Sequence, residues 1–152
     1  MNNKYFILIL SFIFSLSLII HLLTDSNSQR VVKDILASHV DEIVVDENYT
    51  NFQELSQKMT ALKFKIESTN VTELKNLRMI GAKYFNLDGV IGAQIKYRDA
   101  SKKVVTLYEF KSDEDFDDMS ETIQMDDKRY KVILWKQNGV YLLMVRSLRA
   151  LN

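Results

Sequence analysis

The sequence predicts an α+β domain behind a membrane anchor: a transmembrane helix, two short helices, then an antiparallel β-meander of five to seven strands. Three observations predict this. Apolar residues recur at helical spacing only ahead of residue 60. From about residue 62 the period changes to two. Asp88-Gly89 and Asn138-Gly139 each separate two β-rich runs, and such dipeptides accept the positive φ angles of a tight type I′ hairpin.

Residues 1–4 read as a short cytoplasmic tail and residues 5–23 (YFILILSFIFSLSLIIHLL) as the anchor. That run contains no Asp, Glu, Lys or Arg. As a helix it is about 28 Å long, close to the hydrocarbon thickness of a bilayer. A cleaved signal peptide is the competing reading. Its apolar stretch is usually about 7–15 residues with a small-x-small cleavage site close behind. Here Ser26-Asn27-Ser28 stands well beyond the run. A buried core helix is disfavoured, because a chain of 152 residues has too little else to cover an all-round apolar helix. Lys4 precedes the run, and Asp25 comes before Arg30 after it. The tail is therefore expected inside and the bulk outside, as a single-pass inner-membrane protein with a periplasmic domain. His21, near the end of the run, is expected to reach the headgroups.

Residues 24–30 (TDSNSQR) read as a polar linker, and residues 31–152 as the extracytoplasmic domain. Val32, Ile35, Leu36, His39, Val40 and Ile43 lie on one helical face, with Ser26 or Ser28 as cap. His39 reads as a packing residue of that face, since partner ligands are lacking. A second helix starts at Thr50 or Asn51: Asn51 and Glu54 have capping-box spacing, and Phe52, Leu55 and Met59 line one side. Leu62, Phe64 and Ile66 alternate with Lys63, Lys65 and Glu67, which predicts a half-buried strand. Strands follow at 79–87, 90–98, 104–110, 122–125, 130–136 and 140–145, with turns at 99–103 and 126–127 and an acidic loop at 111–118. Gly81 and Gly92, near the two ends of one hairpin, mark bulges or a close backbone approach.

Composition excludes several chemistries. Lys+Arg and Asp+Glu are 20 each, so the basic excess of a general nucleic-acid binder is missing. The absence of cysteine removes disulfides, thiol nucleophiles and Cys-ligated zinc, and 2 histidines leave little for a triad or a His-rich metal site. No nucleophile elbow or phosphate loop is present, so an enzyme is not expected, and neither is a cofactor. Asp113, Asp115 and Asp117 have the i, i+2, i+4 spacing that opens a calcium loop. The sixth position is Asp118 rather than Gly, and the twelfth is Gln124 rather than Glu. The stretch therefore reads as a solvated acidic loop, with these three aspartates as weak calcium candidates. Asn48-Tyr49-Thr50 and Asn70-Val71-Thr72 match the glycosylation sequon, which in a bacterial-looking chain reads as chance.

The block 79–110 (MIGAKYFNLDGVIGAQIKYRDASKKVVTLYEF) resembles the extracytoplasmic domain of bacterial transmembrane anti-sigma factors. Ile80-Gly81-Ala82-Lys83 matches the start of that family's hairpin, with Lys83 where arginine is commoner. Asp88-Gly89 matches its turn, residues 93–98 its return strand and residues 105–108 its next strand. The hairpin 130–145 resembles the family's closing hairpin with its central Trp135, although Arg129 stands where glycine is often found. Ala37-Ser38-His39-Val40 resembles the membrane-proximal helix. The resemblance spans about residues 31–146. Typical members carry a cytoplasmic sigma-binding domain, often with a His-x3-Cys-x2-Cys zinc motif. Here only residues 1–4 stand in that place, and cysteine is absent. The resemblance thus implies the outer module, a membrane-tethered sensing or partner-binding domain, and not direct sigma-factor sequestration.

Most strand aromatics are expected in the core. On the strand 130–136, Tyr130, Val132 and Leu134 share one face; Lys131, Ile133 and Trp135 share the other. The Trp135 face is the better candidate for a partner contact, because Trp is enriched at binding hot spots. Trp135, Lys136, Asn138 and Tyr141 are accordingly the partner-binding candidates. Two functions remain in view. One is a non-enzymatic regulatory protein that contacts a protein partner in the envelope, through this hairpin or a sheet edge. The other is a periplasmic binding module for a small ligand or envelope polymer, with a pocket between helices and sheet.

Overall fold

The computed structural model describes residues 26–38, 51–67, 72–125 and 128–148. The anchor 5–23 with His21, the stripe positions His39 to Ile43, the sequon asparagines Asn48 and Asn70, and the turn 126–127 lie outside the described residues. Among the described residues no helix is long and apolar enough to cross a membrane.

Helix α1 spans Asn27–Ser38. It starts where a Ser26 cap places it, within the polar stretch 24–30. Ser26 Oγ accepts the Gln29 N–H at 3.2 Å, which caps the helix and lets it begin inside that polar stretch. Ser28, the other cap candidate, is buried and donates instead to the Asp117 carbonyl at 3.0 Å. Val31, Val32, Ile35 and Leu36 form the buried stripe. Helix α2 spans Phe52–Lys58, and Asn51 is its cap, with Oδ1 accepting the Glu54 N–H at 2.9 Å. Leu55 is its buried residue, and Met59 is buried just beyond its end.

Residues 62–66 do not form the predicted strand. Burial alternates as the sequence suggests, with Ile66 buried, Leu62 and Phe64 half-buried, and Lys63 and Lys65 exposed. The segment, however, pairs with no strand. Leu62 and Ile66 instead pack against the hydrophobic core, so their alternation reports burial and not ladder pairing.

The sheet has six antiparallel strands: β1 (Arg78–Leu87), β2 (Val90–Arg98), β3 (Val104–Phe110), β4 (Met119–Met125), β5 (Lys128–Gln137) and β6 (Val140–Leu148). Their order is β1-β2-β3-β6-β5-β4. The α+β class stands, but the sheet is two three-stranded meanders joined where β3 pairs with β6. Residues 111–118 carry the chain from the centre of the sheet to its far edge. Phe116 anchors that crossing, with ring centroids 6.1 Å from Phe110 and 5.0 Å from Tyr141. Both tight hairpins form as predicted, with positive φ at Asp88, Gly89, Asn138 and Gly139.

Each helix covers its own face. The first face joins Leu55 and Met59 to Ile95, Tyr97, Val105, Leu107, Leu142 and Met144. The second joins the α1 stripe to Tyr108, Phe110, Val132, Leu134, Leu143 and Val145. On the second face Gln94 Nε2 donates to the Tyr108 hydroxyl at 2.8 Å, and burial pushes that hydroxyl's pKa well above its ordinary value.

Candidate functional site

The structure does not bring the four partner-binding candidates onto one surface. Trp135 lies on the first face, half-buried against the core there and paired with Leu142. Lys136 and Tyr141 are direct ladder partners on the second face. Lys136 Nζ sits 4.7 Å from the Tyr141 ring centroid and 3.0 Å from Asp115 Oδ1. The Tyr141 hydroxyl donates to the same Asp115 oxygen at 3.1 Å and accepts the Phe116 N–H at 3.2 Å. Asn138, in the turn, donates through Nδ2 to Glu67 Oε2 at 2.9 Å. The last three residues thus tie the β5–β6 hairpin to the crossing segment and to the stretch behind α2. Hydrogen bonds from Lys136 and then Tyr141 hold the Asp115 carboxyl below its ordinary range. The Tyr141 hydroxyl and then Asp115 hold the Lys136 ammonium above its own.

The calcium candidates fan apart. Asp115 faces Lys136, Asp117 gives its carbonyl to Ser28, and Asp113 lines a cleft on another side. Asp118 accepts the Lys136 N–H at 3.2 Å, and Glu114 pairs with Arg30 at 3.2 Å. Among the described residues no three metal-binding side chains converge.

The cleft beside Asp113 has a volume of about 430 Å³, within the range of small-ligand sites. Its apolar lining is Ile91, 47% exposed, with Phe64 and Val90. Lys63, Lys111 and Asp113 stand at its rim. The segment bearing Lys63 and Phe64 is positioned by Tyr84, whose hydroxyl accepts the Ala61 N–H at 3.2 Å and reaches the Lys58 carbonyl at 3.4 Å.

The two edges of the sheet differ. Strand β1 carries a register shift between Met79 and Gly81, together with Arg78 and Lys83, all devices that discourage pairing. Strand β4 (MSETIQM) has an unbroken register with β5 and Glu121 as its charged residue. Beside it, Gln29 and Lys33 of α1 form a groove of about 260 Å³ with Glu121, Thr122 and Ile123. Sequence reasoning missed that β4 is an edge, because strand order depends on where residues 111–118 cross and carries no local signature. Comparison with protein-family models, with curated proteins and with solved structures finds no match.

Proposed function

We propose that the chain is a membrane-anchored, non-enzymatic interaction protein of the cell envelope, regulatory in the manner of the sensor domains its sequence resembles. It takes a protein partner by strand addition at β4. The observation that carries this reading is the β4 edge, which among the described residues pairs with β5 alone and lacks bulge and proline. Half of the backbone N–H and C=O groups of such a strand point outward and accept an extended peptide. The groove beside Ile123 gives an alternate side chain of that peptide a seat.

The test combines a photo-crosslinker at Met119, in native membranes, with proline at Ser120 or Glu121. Successive residues of an edge strand direct their N–H groups alternately inward and outward. One proline therefore breaks the β5 ladder, and the other removes an outward donor while the domain stays folded. The folded variant is expected to lose the adduct. Retention of the adduct in that variant sinks the edge reading.

The cleft supports a second reading, a binding module for a small ligand, on the exposure of Ile91 in its lining. Ile91→Glu is expected to abolish ligand retention on that reading and to leave the Met119 adduct intact.

A further inference from the structure

We infer that the first face of the sheet carries a seat for a phosphate-bearing ligand, built from Arg129 and Lys131 on β5 and Arg146 on β6. Lys131 and Arg146 are direct partners in the β5–β6 ladder. Arg129 precedes Lys131 by two positions and so projects on the same face. The next strand extends the set, with Thr122 opposite Lys131 and Gln124 opposite Arg129.

Like charges directly opposite one another in a ladder are unfavourable, since their Cβ atoms stand about 4.5–5.5 Å apart. A sheet selected for stability alone would place an acid or a neutral residue at one of the two positions. Here none of the three cations makes an ion pair among the described residues. Asp99 acts on Arg146 from longer range, and its Oδ1 is already taken by Ser101 Oγ at 2.7 Å and the Lys103 N–H at 2.8 Å. The Arg146 Nε is buried and has no hydrogen-bond partner. A buried donor without an acceptor, beside two unpaired cations, is the complement of an anion. Arginine offers a planar fork and lysine a compact point charge. A phosphate dianion has oxygens for both and twice the charge of a single carboxylate.

The chemistry that this seat reads is a phosphate group, which a soluble molecule or a lipid headgroup can carry.

The test uses the full chain in nanodiscs of zwitterionic lipid, titrated with inorganic pyrophosphate and followed by amide chemical shifts. Saturable shifts at Thr122, Lys131 and Arg146 are expected, with affinity lowered about tenfold or more by Arg146→Gln. Shifts that fail to saturate, or that survive unchanged in Arg146→Gln, overturn the inference. Lys131→Glu separates binding from folding. It turns the repulsive pair into an attractive one, so the ligand-free domain should melt a few degrees higher, roughly 2–4 °C, while the pyrophosphate response disappears. A variant that melts lower and still responds overturns the inference. A response to phosphatidylglycerol in the nanodisc with none to pyrophosphate assigns the phosphate to a lipid headgroup, and no response to either overturns the inference.

Discussion

Phe85 on β1 lies over Gly92, its direct partner on β2, so that the ring fills the space a side chain at position 92 would need. The ring is held there by edge contacts with Tyr108 at 5.2 Å and Phe110 at 6.1 Å between centroids. A Cβ at position 92 would also come within 2.6 Å of the Glu109 carbonyl oxygen. Gly92 is thus required by space, an aromatic side chain covering a strand glycine. Gly92→Ala is expected to destabilise the domain by about 1–3 kcal/mol, through overpacking. Urea unfolding measures it. In a Phe85→Ala background the same change should cost less, with a coupling of about 0.5–3 kcal/mol. Equal costs in both backgrounds would assign the crowding to the Glu109 carbonyl.

Gly139 presents the opposite case. Its φ is 78° and follows Asn138 at 50°, while a Cβ at Gly139 meets nothing within 4 Å. Gly139→Ala therefore isolates the backbone cost of the left-handed region, about 1–2 kcal/mol. Asn138→Ala should cost at least as much, because it also removes the hydrogen bond to Glu67. Chemical denaturation of the two variants checks the order. A Gly139→Ala cost near zero would mean that the turn has changed type.

These two glycines show which parts of the fold were legible. The hairpin turns were, because positive φ at successive residues is a local demand that Asp-Gly and Asn-Gly meet on their own. The suspicion about Gly92 was also local, since a glycine within a β-rich run marks a close approach. The strand predicted at 62–66 failed because alternation reports burial and says nothing about ladder partners. Leu62 and Ile66 are directed at the core without being in the sheet. Within the polar stretch 24–30 the cap was legible as Ser26 or Ser28, but only the fold separates the two: Ser26 caps, while Ser28 is buried against the Asp117 carbonyl. The candidate site was least legible. Lys136 and Tyr141 were singled out, but their partner Asp115 lies in the crossing segment and read only as a calcium candidate, and Lys131 opposite Arg146 appears only once the register is known.

The contact of Asp115 with Lys136 and Tyr141 sets a pH window. The lowered Asp115 carboxyl adds stability above its ordinary value of 3.8, and this is lost as pH falls through the lower folded value. The raised Lys136 ammonium adds stability below its ordinary value of 10.5, lost as pH rises through the higher folded value. Both groups are solvent-exposed, so the effect is local rather than global. Its reporter is the Phe116 amide, which donates to the Tyr141 hydroxyl. Corrected for intrinsic exchange rates, Phe116 protection is expected to hold between about pH 4 and pH 10 and to fall outside that range. Tyr141→Phe should lower it throughout. Protection that ignores acid would assign the crossing segment to Phe116 packing alone.

Glu109 connects the core to the cleft. It is wholly buried on the first face, where its ladder neighbours are Ala93 and Leu142. Its Oε2 accepts the Glu67 N–H at 2.7 Å, and Glu67 in turn accepts from Asn138 at 2.9 Å. This chain of bonds pins the end of residues 62–67, the segment that brings Lys63 and Phe64 to the cleft. Glu109→Gln retains an acceptor oxygen and is expected to cost about 1–2 kcal/mol. Glu109→Ala adds a cavity and an unsatisfied N–H, and about 2–4 kcal/mol is expected. The milder variant has the more informative readout. With the segment loosened and the sheet intact, trypsin should cut faster after Lys63 and Lys65 while the melting temperature changes by only a few degrees, roughly 2–6 °C. Unchanged cleavage would mean that Leu62 and Ile66 hold the cleft wall by packing alone, and that ligand capture there needs no help from the buried Glu109 side chain.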